Sequence, residues 1–232
     1  MSPGRPAVRI LSWNIHKGVG LDGIYDLERI VGIVRRHAPD IVALQEVDSR
    51  RAPDGDSPFS YLQQALGEHC VEARAITAPD GDYGHVVISR WPLFGTVLHD
   101  ISVGRREPRR AIETIVETER GPLHFMAAHL GLGFGERRRQ VEILARIAQS
   151  SQSPFVLAGD FNDWVWRGWV NATLRRELPG RTWHRTFPSL LPAVRLDRIY
   201  CRPAAVLARS WTDPLAWRAS DHLPVIADIA IG

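Results

Sequence analysis

The sequence predicts an α/β (α+β) fold built from two packed mixed β-sheets with helices on the outside. Short apolar runs of strand length recur from Val8–Leu11 to Pro224–Ile229. Helical stretches are interspersed among them without the strict alternation that an all-parallel sheet requires. A length of 232 residues, 44% hydrophobic and 24% charged, is ordinary for one globular domain spanning residues 1–232.

The elements follow in order. Val8 to Asn14 reads as a strand. Asp26 can cap a helix whose Leu27, Ile30, Val31 and Val34 share one face, and Pro39 stops it. Ile41 to Glu46 is a short apolar strand. Asp48 to Pro58 carries Asp-Gly and Pro turn signals, and Ser57 with Pro58 fits the start of a helix through Leu66. Strands are expected at Val71–Ile76, His85–Ser89, Leu93–Leu98, Ala111–Glu117 and Leu123–His129. Glu136 to Gln149 has an apolar stripe of Val141, Leu144, Ala145 and Ala148. Arg138–Glu142 and Glu142–Arg146 are pairs on its exposed side, and Arg137 to Arg139 are expected to face water. Phe155 to Gly159 is a buried strand. Trp164 to Leu178 reads as mostly helical, with Trp166, Trp169, Val170 and Leu174 in the core and Trp164 exposed. Ile199–Tyr200 and Pro224–Ile229 complete the sheets.

Composition removes several classes of function. No apolar run approaches the roughly 18 residues that span a bilayer. Arg5 and Pro6 lead directly into the first strand and leave no room for a signal peptide, so the cytoplasm is the expected location. Cys70 and Cys201 have no metal-binding spacing and are expected to be reduced. The net charge of +3 is mildly basic and does not by itself indicate nucleic acid. Nearly all the positive charge is arginine, with Lys17 the only lysine. A monomer is expected from the self-contained size.

Chemistry concentrates at strand ends. In Leu157-Ala158-Gly159-Asp160-Phe161-Asn162 a carboxylate and an amide stand two residues apart after an apolar run, so in an extended chain they point the same way. Ser12-Trp13-Asn14, Leu44-Gln45-Glu46 and Ala128-His129 end strands in the same manner, and Leu196-Asp197-Arg198 and Ser220-Asp221-His222 adjoin later ones. Polar groups at the ends of buried strands are costly unless paired or metal-bound. Their recurrence points to one polar site at the rim of a sheet. An isolated Asp or Asn after a strand is ordinarily a turn residue; the ordered set overrides that reading.

With the five segments Ser12–His16, Leu44–Val47, Gly159–Asn162, Leu196–Tyr200 and Ser220–Val225 in this order, the chain resembles the endonuclease/exonuclease/phosphatase superfamily of metal-dependent phosphoesterases with a deoxyribonuclease-like fold. The resemblance spans nearly the whole chain. It implies a four-layer α/β/β/α sandwich with the site at one rim. It also implies that Glu46 is the principal ligand of Mg²⁺, for which Mn²⁺ can substitute, with Asn14 and Asp221 assisting. Asp160 would orient or deprotonate the attacking water, and Asn162 would hold the water or a phosphate oxygen. Asp197 would fix the tautomer of His222, which meets the phosphate together with His129. The few oxygen ligands suit Mg²⁺, which keeps most of its waters.

His16 stands where several superfamily nucleases carry an acidic residue. That weakens the case for a second metal and makes His16 a candidate phosphate contact beside Lys17. Arg105, Arg106, Arg109 and Arg110 form a loop cluster. Arg109 or Arg110 is a candidate phosphate contact, and strand phase does not choose between them. Trp164 is a candidate to stack on a base or enter a lipid surface.

The leading expectation is a phosphodiesterase with nucleic acid as substrate. A phosphatase, phospholipase or sphingomyelinase acting on a lipid or inositol headgroup is the alternative, because one fold hosts many activities. A catalytically inactive phosphate-binding module is a third reading. The complete set of Glu46, Asp160, Asn162, Asp197 and His222 argues against it.

Overall fold

The computed structural model describes residues 7–50, 52, 57–152, 154–164 and 168–231. The expectations for Arg5, Pro6, the Asp54-Gly55 turn and Trp166 lie outside the described residues. In chain order the elements begin with β1 (Val8–Asn14), α1 (Leu27–His37), β2 (Ile41–Asp48), α2 (Pro58–Leu66), β3 (His69–Ala78) and β4 (Gly81–Ser89). Next come β5 (Leu93–Asp100), β6 (Arg110–Thr118), β7 (Gly121–His129), α3 (Phe134–Ser150), β8 (Phe155–Asp160) and α4 (Trp169–Glu177). The last are β9 (Gly180–Arg181), β10 (Asp197–Arg202), β11 (Leu207–Thr212) and β12 (Val225–Ile229).

One six-stranded sheet has the order β11-β12-β1-β2-β4-β3 and the other β5-β6-β7-β8-β10-β9. Strand alternation explains the layering. Val8, Ile10, Ile41, Ala43 and Val87 of the first sheet meet Ile112, Phe125, Ala127, Val156 and Ala158 of the second in a central core. The intervening residues Leu11, Trp13, Val42 and Leu44 turn outward against Ile30, Val31 and Val34 of α1 and Phe59 and Leu62 of α2. On the far side Met126, Ala128 and Leu157 pack against Val141, Leu144 and Ala148 of α3 and Val170 and Leu174 of α4. Central strands with helices over one face and a second sheet over the other are apolar on both sides. That is why they read as continuous apolar runs.

Local signals act as expected at several ends. Asp26 Oδ1 accepts the Arg29 backbone N–H at 2.8 Å, and Ala38 leaves α1 in the left-handed conformation. Ser57 stands at the N-cap of α2 before Pro58 but makes no side-chain cap bond. Arg138 pairs with Glu142 at 3.3 Å, whereas Arg146 donates to the Glu142 backbone carbonyl instead of its carboxylate.

Three expectations are corrected. α4 begins at Trp169, so Trp164 lies in irregular chain before it. Trp169, at the first position of α4, is 41% exposed; the buried face carries Val170, Asn171 and Leu174, and the Arg138 guanidinium covers the Trp169 ring. Arg137 is buried and donates to the carbonyls of Gly131 and Leu132, closing the loop before α3. β9 and the half-exposed edge strand β11 carry too little apolar pattern to read from sequence.

Gly159 is required by close approach. Its φ is +152°, and a Cβ there would lie 1.8 Å from the Ala128 carbonyl oxygen in the neighbouring strand β7. Backbone cannot yield as a side-chain tip can. Gly159→Ala is expected to cost about 3 kcal/mol or more in stability, read from the denaturant midpoint. A midpoint unchanged from wild type would show that the β7–β8 contact is looser than described.

Candidate active site

Topology gathers the polar strand ends at one rim. β1 runs parallel to β2 with Asn14 opposite Gln45, and β7 runs parallel to β8 with His129 opposite Asp160. β10 runs antiparallel to β8, so its first residue, Asp197, lies opposite Asp160. A cleft of about 300 Å³ opens there, lined by Asn14, Glu46, His129, Asp160, Asn162, Asp221 and His222 among others.

Two of these residues hold unusual backbone. Glu46 has φ +59° at a β-bulge where the register with β4 shifts between Gln45 and Val47. An extra residue in a strand re-aims its side chain, and here Glu46 joins the cleft lining. Asn162 has φ +50°. Its backbone N–H donates to Asp160 Oδ1 at 2.9 Å and its side-chain amide to the Leu130 carbonyl at 2.8 Å. Non-glycine residues with positive φ are uncommon and collect at functional sites.

Asn14 links the two sheets. Its Oδ1 accepts the His16 backbone N–H at 3.0 Å, which fixes the amide orientation. Nδ2 then donates to Glu46 Oε1 at 3.1 Å and to Asp160 Oδ2 at 3.0 Å. Asn14 thus presents hydrogens to the two carboxylates, with its oxygen turned to the His16 backbone.

The two histidines occupy opposite electrostatic settings. His222 Nδ1 lies 2.8 Å from Asp197 Oδ2, and its Nε2 is 3.9 Å from Asp160 Oδ2. His129 Nδ1 is 3.0 Å from Arg109 Nη1. Arginine only donates, so Nδ1 accepts and the ring hydrogen belongs on Nε2, which is 3.5 Å from Asp160 Oδ2 and 4.0 Å from Glu46 Oε1.

A model of the endonuclease/exonuclease/phosphatase family matches residues 11–222. The chain belongs to the endonuclease/exonuclease/phosphatase family. The Escherichia coli (strain K12) protein YbhP, itself uncharacterised, is 33% identical over 245 residues, covering 95% of both chains. The endonuclease/exonuclease/phosphatase from Beutenbergia cavernae superposes with a TM-score of 0.78 at 24% identity, over 98% of this chain and 72% of its own. The Neisseria 3′ phosphatase NExo, bound to a product DNA hairpin, gives 0.72 at 19% identity, over 96% and 99%.

Members of this family are phosphoester hydrolases, and the charge states here suit that chemistry. Burial lowers the proton affinity of His129 well below the usual histidine range, and the Arg109 guanidinium lowers it further, so it stays neutral. Burial alone would also lower that of His222, but the Asp197 and Asp160 carboxylates outweigh it and hold the ring as an imidazolium. Burial raises the Asp160 carboxyl to about 6, Asp197 adds to the rise, and His222 opposes it.

The donor set fits a hard divalent cation. Glu46 and Asp160 share the one Asn14 amide, which leaves negative charge in the cleft for a cation to neutralise. Asp221 lines the same space. Asp160, Asp197 and His222 also bring potential ligand atoms within 4.8 Å of one another. Within that trio His222 Nδ1 is already engaged by Asp197 Oδ2 at 2.8 Å.

Two expected contacts fall outside this arrangement. Arg109 lines the cleft, whereas Arg110, already the first residue of β6, does not. His16 is absent from the lining. Its Nδ1 sits 3.0 Å from the Val19 carbonyl and 4.0 Å from Asp221. Lys17, at φ +60°, enters the cleft in its place.

Tyr83, Arg50 and Phe187 line the cleft without having been expected. Tyr83 belongs to β4, whose start at Gly81 precedes its apolar run. Arg50 sits over the Tyr83 ring at 5.1 Å and pairs with Asp48 at 2.8 Å. Phe187 packs on His222 at 4.9 Å and edge-on to Trp164 at 5.4 Å, from a stretch with no periodicity.

Proposed function

We propose that this chain hydrolyses a phosphodiester by metal-assisted attack of water. The observation that carries the reading is the Asn14 amide, which ties Glu46 of one sheet to Asp160 of the other beside the Asp197–His222 pair. Glu46, with Asp221, would hold Mg²⁺ or Mn²⁺, which when bound neutralises phosphate charge.

The protein groups divide the remaining work. Asp160, with its raised proton affinity, orients the attacking water and accepts its proton. The Asn162 backbone N–H holds that carboxylate in place. Asp197 holds His222 so that Nε2–H faces the phosphate, where charge develops. Arg109 fixes the His129 ring with its own Nε2–H toward the same space.

The site reads the phosphate, not what it is attached to. Nucleic acid is the leading substrate class by sequence. The DNA product on the Neisseria relative supports that class for the fold, and Lys17, Arg50 and Arg109 around the cleft suit any phosphate anion. A lipid headgroup is favoured by an observation belonging to this chain, the apolar loops beside the cleft.

The test is hydrolysis of bis(p-nitrophenyl) phosphate. Chelation by EDTA is expected to remove at least about 100-fold of the rate, and added Mg²⁺ or Mn²⁺ to restore it. Full activity in EDTA would contradict the metal-assisted reading.

A further inference from the structure

Among the described residues thirteen large hydrophobic side chains are exposed, among them Leu132 and Trp164 of the cleft lining and Leu21, Ile24, Leu190, Leu191 and Leu215. Scattered exposed apolar residues need no explanation. Five of these are not scattered. Ile24 is 58% exposed, Leu190 65%, Leu191 79% and Leu215 72%, with Leu21 beside them.

Their three loops are tied together. The Leu21 backbone N–H donates to the Arg218 carbonyl at 3.0 Å. Ser189 Oγ donates to the Trp217 carbonyl at 3.0 Å, and the Ser189 backbone N–H to the Asp221 carbonyl at 2.7 Å. The patch therefore adjoins Asp221 and His222 of the cleft. An apolar hollow of about 370 Å³ opens between two of the loops, walled by Leu190, Pro192, Pro214, Trp217 and Leu223 with Arg185 at its edge. The Arg218 guanidinium lies 4.9 Å over the Trp217 ring. An aromatic ring beside a cation is suited to the boundary between acyl chains and anionic headgroups.

We propose that this rim docks on an anionic phospholipid bilayer and that the cleft draws its phosphodiester from that surface. The inference rests on the phosphodiesterase reading above and names the source of its substrate. Nucleic acid presents a charged backbone and offers nothing to clustered leucines. A bilayer supplies apolar depth, negative charge and phosphodiesters at one surface. Docking here would bring headgroups to the mouth of the cleft beside Trp164.

The experiment is co-sedimentation of the full chain with vesicles of phosphatidylcholine and phosphatidylglycerol in equal parts. Vesicles of phosphatidylcholine alone and a DNA duplex serve as competitors, and bis(p-nitrophenyl) phosphate hydrolysis is measured in parallel. Wild type is expected to bind the anionic vesicles, and the double variant Leu190→Ser/Leu191→Ser to bind at least about tenfold less. Hydrolysis of the soluble diester should be equal in the two. Absence of vesicle binding by wild type, equal binding by the variant, or displacement from vesicles by DNA would overturn the docking proposal. Vesicle binding without soluble-diester hydrolysis would sink the site reading and leave the docking surface standing.

Discussion

Asp160→Asn is expected to lower kcat on a soluble phosphodiester by about 10²–10⁴-fold, the usual contribution of a general base. The melting temperature should not fall. Asp160 is buried and lies opposite Asp197, and both burial and that neighbour oppose its charge. An amide removes the charge and keeps an oxygen for the Asn162 backbone N–H, which Oδ1 accepts at 2.9 Å. Its NH₂ cannot accept the bond that Oδ2 now takes from the Asn14 amide at 3.0 Å, a loss that relief of the buried charge offsets. Activity and stability therefore part company, as they do where a functional carboxylate is held against electrostatic preference. Steady-state kinetics with a thermal melt on the same sample checks both. A rate within threefold of wild type, on the order of 0.6 kcal/mol, would remove Asp160 from the proposed role.

His222→Ala should carry the second large effect, and it should cost stability as well as rate. Asp197 is fully buried; Oδ2 bonds His222 at 2.8 Å and Oδ1 has no hydrogen-bond partner among the described residues. Removing the imidazolium strands a buried carboxylate, which typically costs about 3–5 kcal/mol. Loss of the donor to the phosphate should lower kcat by about 10²–10³-fold. The two effects separate in the double variant. Asp197→Asn in the His222→Ala background removes the stranded charge and is expected to recover most of the stability and none of the rate. If the double variant is as unstable as the single one, the pair does not stabilise the fold as described.

The sequence carried much of this because most of the site consists of strand ends. Asp160 and His129 follow apolar runs that pair side by side, and Asp197 begins the strand that returns antiparallel to them. Their order along the chain therefore foretold their meeting in space. What it could not carry lies where periodicity fails. Arg109 stands one residue before β6, outside any strand phase that would separate it from Arg110. His16 and Lys17 turn through positive φ after β1, and the turn exchanges which of them reaches the cleft. The bulge at Glu46 has no apolar signature. The sequence marked Glu46 as important without revealing that strained backbone aims it. Asn14 was legible as a site residue, but its role as the bridge between carboxylates depends on one backbone N–H, that of His16, which fixes its amide.

The exposed leucines were legible only as composition. Leu190, Leu191 and Leu215 are far from Leu21 and Ile24 in sequence, and three loop contacts bring them together. No helix among the described residues is long and apolar enough to cross a membrane.

The most direct measurement is anomalous diffraction from crystals soaked in Mn²⁺. The account predicts one strong peak in the cleft at bonding distance from a Glu46 carboxylate oxygen, lost in crystals of Glu46→Gln. A peak between Asp197 and His222 with none at Glu46, or the same peak retained in the variant, would contradict it.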